Sequence, residues 1–142
     1  MAFITDPIGI KGEAEAAKIL ENKGLRVIEH NWRMGHLEVD LIAENKHEIV
    51  FVEVKARTST FGEFLPEEFV DENKKHRMTA AANAYIKYRR IEKKMRFDII
   101  GVLINSQTDE VVYIRHMENA FQPQLRTISS AAHSGKWTFR RR

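Results

Sequence analysis

Residues 48–56 read Glu48-Ile49-Val50-Phe51-Val52-Glu53-Val54-Lys55-Ala56, and this stretch decides the fold. Its β-branched and aromatic residues are those of a strand. In an extended chain alternate side chains face opposite ways. Val50, Val52 and Val54 therefore share one face, and Ile49, Phe51, Glu53 and Lys55 share the other. Apolar residues on both faces need cover on both, which predicts a central strand with helices packed on either side.

Two strand-like stretches precede it, at 25–32 and 36–43. The second alternates strictly, with Leu37, Val39 and Leu41 on one side and His36, Glu38 and Asp40 on the other. A short polar turn joins it to 48–56, so the three form a meander. Upstream, Asp6 or Thr5 caps a helix with Pro7 at its first position, and Gly24 supplies a left-handed stop. That predicts a helix over 7–23 whose apolar stripe is Ile10, Ala14, Ala17 and Leu20, with Glu13 inside it. Downstream, the pattern predicts a polar loop over 57–64, a helix over 71–87, and strands over 96–104 and 111–116. The expected fold class is α/β: a mixed β-sheet flanked by helices, in the order helix, three strands, helix, two strands. Residues 1–121 make up this domain, and 122–142 read as a basic carboxyl-terminal tail.

The chain of 142 residues is the length of one ordinary domain and contains no cysteine. Disulfides, thiolate zinc sites and cysteine nucleophiles are thereby excluded. The longest apolar stretch, 99–104, falls far short of the ~18 residues of a membrane span. Asp6 and Pro7 interrupt the start before a secretory signal could develop, so a cytoplasmic protein is expected. The net charge of +3 is mild, but its distribution is uneven. Between positions 63 and 72 there are five acids and no Lys or Arg, whereas bases dominate at 74–77, 87–96 and 136–142. Such patches are the footprint of a polyanion binder; solvated helix ends plus a basic tail are the plainer reading.

Glu53 and Lys55 lie on an apolar face of a central strand. Burying either charge without compensation costs several kcal/mol, so a mutual pair or a shared ligand is required. Asp40, on the neighbouring strand, can share their sheet face near its end. Glu13, on the apolar stripe of the first helix, needs a partner for the same reason. Carboxylates and a lysine converging without thiols suit a hard cation, Mg2+ or Mn2+, held by one or two carboxylates, waters and substrate phosphate oxygens. Lys55 would then orient or deprotonate the attacking water, or neutralise a non-bridging oxygen. That chemistry is phosphodiester hydrolysis. A structural Glu–Lys pair is the rival reading, but it would not call for two further acids.

The stretches GIKGEAEAAKIL, LEVDLIA, VFVEVKAR and RFDIIGV, with Lys74, resemble the YraN-like family of endonuclease-like proteins. That family falls in the PD-(D/E)xK, or restriction-endonuclease-like, superfamily and is similar to archaeal Holliday-junction resolvases. The similarity spans about residues 8–121. It implies that Asp40 is a metal-ligating acid, Glu53 the second acid, Lys55 the catalytic lysine, and Glu13 the helical acid of the resolvase-like branch. It leaves the roles of Glu38 and His36 open; Leu37 stands where the family has Gly. It further implies a metal-dependent nuclease acting on DNA in preference to RNA, with branched or repair-intermediate structures as substrates. Two-fold symmetric substrates would suit a homodimer.

Several residues are candidates for nucleic-acid contact. Arg57 continues the face of Glu53 and Lys55 toward a flanking phosphate, or is a loop arginine in solvent. Lys74 shares a helical face with Met78, Ala81 and Tyr85, which aims it at the sheet as a phosphate ligand or a snorkelling lysine. Lys87, Arg89 and Arg90 with Tyr85 and Tyr88 form a stacking and phosphate patch, or the tyrosines simply pack. Asp98 reads as structural, paired with Arg96 or a helix arginine, and Trp137 and Phe139 read either as a nucleic-acid clamp or as part of a disordered tail. Two non-enzymatic readings stand beside the nuclease: a nucleic-acid-binding module of the same fold, and a protein-interaction adaptor using the acidic segment 63–72.

Overall fold

In the computed structural model the described residues are 6–59 and 70–124. Seven elements follow in order: α1 (Pro7–Asn22), β1 (Arg26–Met34), β2 (Leu37–Glu44), β3 (Glu48–Ser59), α2 (Glu72–Arg89), β4 (Lys94–Asn105) and β5 (Val111–Phe121). The strands make one sheet in the order β1-β2-β3-β4-β5. Only β3 and β4 run parallel, because α2 carries the chain back between them; the other neighbours are antiparallel. This is the expected mixed sheet with helices on both faces.

The alternation of β3 builds both cores. Ile49 and Phe51 pack with Met78, Ala81, Ala82 and Tyr85 of α2. Val50 and Val52 pack with Ala16 and Leu20 of α1. Asp6 caps α1 by accepting the Ile8 and Gly9 N–H groups, and Gly24 takes the left-handed conformation after it. Asp71 caps α2 through the Lys74 N–H at 2.9 Å.

Several expectations need correction. The buried row of α1 is Gly12, Ala16 and Leu20, not Ile10 and Ala14; Ile10 is 51% exposed. Helix and strand approach through small residues, a seam that hydrophobicity does not mark. A Cβ built on Gly12 would lie 2.5 Å from the Cβ of Ala56. Gly12→Val is therefore expected to force α1 off the sheet, at a cost of about 1–3 kcal/mol. Thermal unfolding checks this: a midpoint several degrees below wild type is expected, and an unchanged one would mean the seam yields freely.

The strand β3 also continues through Arg57 to Ser59, where a loop was expected, because β4 pairs with it along the whole length. His36 lies in the β1–β2 turn rather than on β2. The acidic segment expected as an adaptor surface lies mostly outside the described residues. So do Thr5, Trp137 and Phe139, and nearly all of the tail.

Candidate functional site

The pairing of β2 with β3 runs from Glu44↔Ile49 to Leu41↔Val52 and ends there. β1 and β2 stay paired out to Met34↔Leu37. The outer part of that hairpin thus leaves the sheet beside the carboxyl-terminal half of β3, and Asp40 is the first residue past the split. Its Oδ2 accepts the Val54 N–H at 2.8 Å, taking the part a strand carbonyl plays elsewhere. The strict alternation read along β2 breaks here. Val39 packs on the α2 side whereas Leu41 packs on the α1 side.

Glu53 follows directly on β3, with its side chain only 7% exposed. Its Oε2 is 3.3 Å from the Lys55 Nζ, and its Oε1 is 3.3 Å from the Lys74 Nζ. Lys74 therefore turns to the sheet, from the first turn of α2, and ends on a carboxylate. The sequence reading gave Glu53 one lysine; the fold supplies two.

Glu13 approaches from α1 and is half-buried. Its Oε1 accepts a hydrogen bond from the Asn31 amide at 3.1 Å. Sequence reasoning missed Asn31. It sits across from Asp40 on β1 with a φ of 51°, a conformation that Asn tolerates better than most residues. Burial, with the charges of Glu53 and Glu38, raises the carboxyl of Glu13 above its usual range, and the Asn31 bond opposes this. Glu38 also pairs with Arg33 at 2.8 Å. His36, in its exposed turn, is no longer on a face shared with Asp40.

The carboxyl of Asp40 lies well above the usual range. Burial is the chief cause and the charge of Glu53 the next; the Val54 N–H and Lys74 pull it back down, and Glu13 adds to the rise. A carboxylate harder to ionise in the folded state than in the unfolded chain destabilises the fold progressively as the pH rises above its unfolded-chain value, and fully once the pH exceeds its folded-state value. Below the ordinary carboxylate range that cost vanishes. In chelator-treated protein at neutral pH, Asp40→Asn, whose amide oxygen can still accept the Val54 N–H, is expected to raise the melting temperature by roughly 2–4 °C per kcal/mol relieved. The gain should shrink as the pH falls toward the carboxylate range. A lowered melting temperature at neutral pH would contradict this electrostatic account.

The remaining candidates are spread more widely. Arg57 is exposed on β3, and its Nη1 donates to the Ala56 carbonyl at 2.9 Å. Lys87, Arg89 and Arg90 lie at the other end of α2 from Lys74, about 20 Å away along the helix. Arg89 is also drawn to Glu29 at 3.4 Å. Tyr85 is core, its hydroxyl donating to Glu29 at 3.0 Å, whereas Tyr88 is 63% exposed. The structural reading of Asp98 agrees with the fold, since its carboxylate receives Arg96, His116 and the Asn119 N–H.

Among the described residues no three His, Asp or Glu side chains form a ready-made metal cage. Mg2+ and Mn2+ do not demand one, since one or two carboxylates, waters and phosphate oxygens complete their shell. Asp40 and Glu53, oxygen donors crowded at one point of the sheet, fit that demand. Among the described residues no helix is long and apolar enough to cross a membrane.

Fold and site together define a three-layer α/β protein with an acidic pair and two lysines at a split in its sheet. The chain belongs to the uncharacterised protein family UPF0102, whose model matches residues 12–102, a span holding Glu13, Asp40, Glu53, Lys55 and Lys74. Similar relatives include UPF0102 proteins of Parabacteroides distasonis, 40% identical over 119 residues, and of Bacteroides thetaiotaomicron, 41% identical over 119 residues. The first alignment covers 84% of this chain and 95% of the relative, the second 83% and 94%. A UPF0102 protein of Caldanaerobacter subterraneus subsp. tengcongensis is 41% identical over 116 residues, covering 80% and 93%.

Proposed function

We propose that the protein is a divalent-metal-dependent endonuclease that hydrolyses phosphodiester bonds in DNA, with branched or repair-intermediate structures as substrates. One observation carries this reading: Asp40 accepts the Val54 N–H where β2 leaves β3, next to Glu53, and Lys55 and Lys74 both reach Glu53. Asp40 and Glu53 would hold Mg2+ or Mn2+, with Glu13, steadied by Asn31, beside them. When bound, the ion lowers the pKa of its water and stabilises charge developing on the phosphoryl group. Lys55 orients the attacking water or neutralises a non-bridging oxygen. Arg57 and Lys74 take neighbouring phosphates, and Lys87, Arg89 and Arg90 meet the backbone of a longer duplex at the far end of α2. A two-fold substrate would be met by two copies of the chain.

A non-catalytic nucleic-acid-binding module of the same fold is the second reading. It is favoured by the basic end of α2, where Lys87, Arg89 and Arg90 lie well away from the acidic pair. A gel assay separates the two. Labelled single strand, duplex, flap and four-way junction are incubated with Mn2+ or with a chelator, using wild type and Lys55→Ala purified side by side. Metal-dependent cleavage that disappears in the variant is the expected result. Equal cleavage by both proteins would mark a contaminant, and salt-sensitive binding without cleavage would point to the module.

A further inference from the structure

Resting on the nuclease reading, we propose that Lys74 gates the metal site: in the free protein its ammonium holds Glu53, and a substrate phosphate must draw it away before a divalent cation is held tightly. Both oxygens of Glu53 are engaged, each 3.3 Å from an ammonium, and the two ammoniums come from different elements. Lys55 stands two residues along the same strand and face, so it stays beside Glu53 whatever else binds. Lys74 is different. It reaches over from a separate element, α2, so its head group can turn to another anion without any change in β3.

Lys74 is also the cation that offsets the charge of Asp40, so one ammonium serves both members of the acidic pair. A divalent cation held by the same two carboxylates takes over that service, and like charges so close repel. A phosphate offers Lys74 a charge-assisted partner in exchange. Metal and nucleic acid would then bind cooperatively, each raising the affinity of the other by the same factor. The free protein would hold metal weakly, and the site would be completed on the substrate.

Calorimetry with Mn2+ alone tests the gate on the full chain, using wild type, Lys74→Gln and Lys74→Arg. Lys74→Gln is expected to bind Mn2+ about tenfold more tightly than wild type, within the usual range of coupling between sites. Lys74→Arg, which keeps the cation, should stay near wild type. In chelator, duplex binding by Lys74→Gln should weaken several-fold, from the loss of one phosphate contact. If wild type takes up Mn2+ and Lys74→Gln binds it no more tightly, the gate falls and the metal reading stands. Unchanged duplex binding would also overturn the gate, because Lys74 would then have no phosphate to move to. If neither wild type nor the variants take up Mn2+, the metal reading fails and the gate with it.

Discussion

Lys55→Ala is expected to lower metal-dependent cleavage by about a thousandfold while leaving the fold intact. The size follows from the role proposed for the ammonium. Removing a single donor aimed at developing charge typically costs about 100- to 1000-fold, and losing a general base costs a similar factor or more. The fold should tolerate the change because Lys55 is partly exposed and Glu53 keeps its second partner, Lys74. Single-turnover cleavage of the preferred substrate, with the melting temperature measured alongside, gives both numbers. A loss of less than tenfold would remove Lys55 from the chemistry.

The second large effect lies away from the site. Asp98→Ala is expected to destabilise the protein by about 3–5 kcal/mol, because it leaves a largely desolvated guanidinium, 15% exposed, without the carboxylate that meets it on two sides. Asp98 is fully buried on β4, and Arg96 meets it with two hydrogen bonds, from Nε at 2.9 Å and Nη2 at 2.8 Å. His116 adds Nε2 at 2.7 Å. Its Nδ1 is 2.9 Å from the Lys23 Nζ, which can only donate, so Nε2 carries the proton that goes to Asp98. The Asn119 N–H completes the set at 2.9 Å, from a residue with a φ of 52°, where the β4–β5 register shifts.

Burial alone would raise the carboxyl of Asp98; the bonds from His116, Arg96 and Asn119 outweigh it and hold the group below its usual range. The stability it contributes is therefore present above the ordinary carboxylate value and lost as the pH falls below it. At neutral pH the melting temperature of Asp98→Ala should fall by on the order of 10 °C, and the gap to wild type should narrow in acid. A drop of under about 3 °C would show that Arg96 finds sufficient compensation in Glu48, 2.8 Å away.

The elements were largely legible because their signals are local. The double-sided run 48–56 fixed a central strand, Asp6 and Gly24 marked the limits of α1, and the helical face shared by Lys74, Met78, Ala81 and Tyr85 marked α2. The same run put Glu53 and Lys55 on one face, and the flanking pattern offered Asp40 and Glu13 as companions. Errors fell where a neighbour overrules a local pattern. The helix α1 buries its small residues, because close backbone approach to β3 at Ala56 counts for more there than side-chain hydrophobicity. The strand β3 runs on past its apolar part, because β4 supplies hydrogen-bonding partners as far as Asn105.

By itself, then, the sequence determined the order of helices and strands, the two-faced burial of β3, and the residue types available for chemistry. Periodicity and capping are carried by neighbours a few positions apart. Only the tertiary structure decided that β2 parts from β3 at Asp40, that Lys74 closes on Glu53, and that Asn31 holds Glu13. These contacts join residues far apart in the chain, and their distances depend on strand register and on how closely each helix lies on the sheet. No local pattern encodes register and helix placement, because both are set by how all the layers pack together.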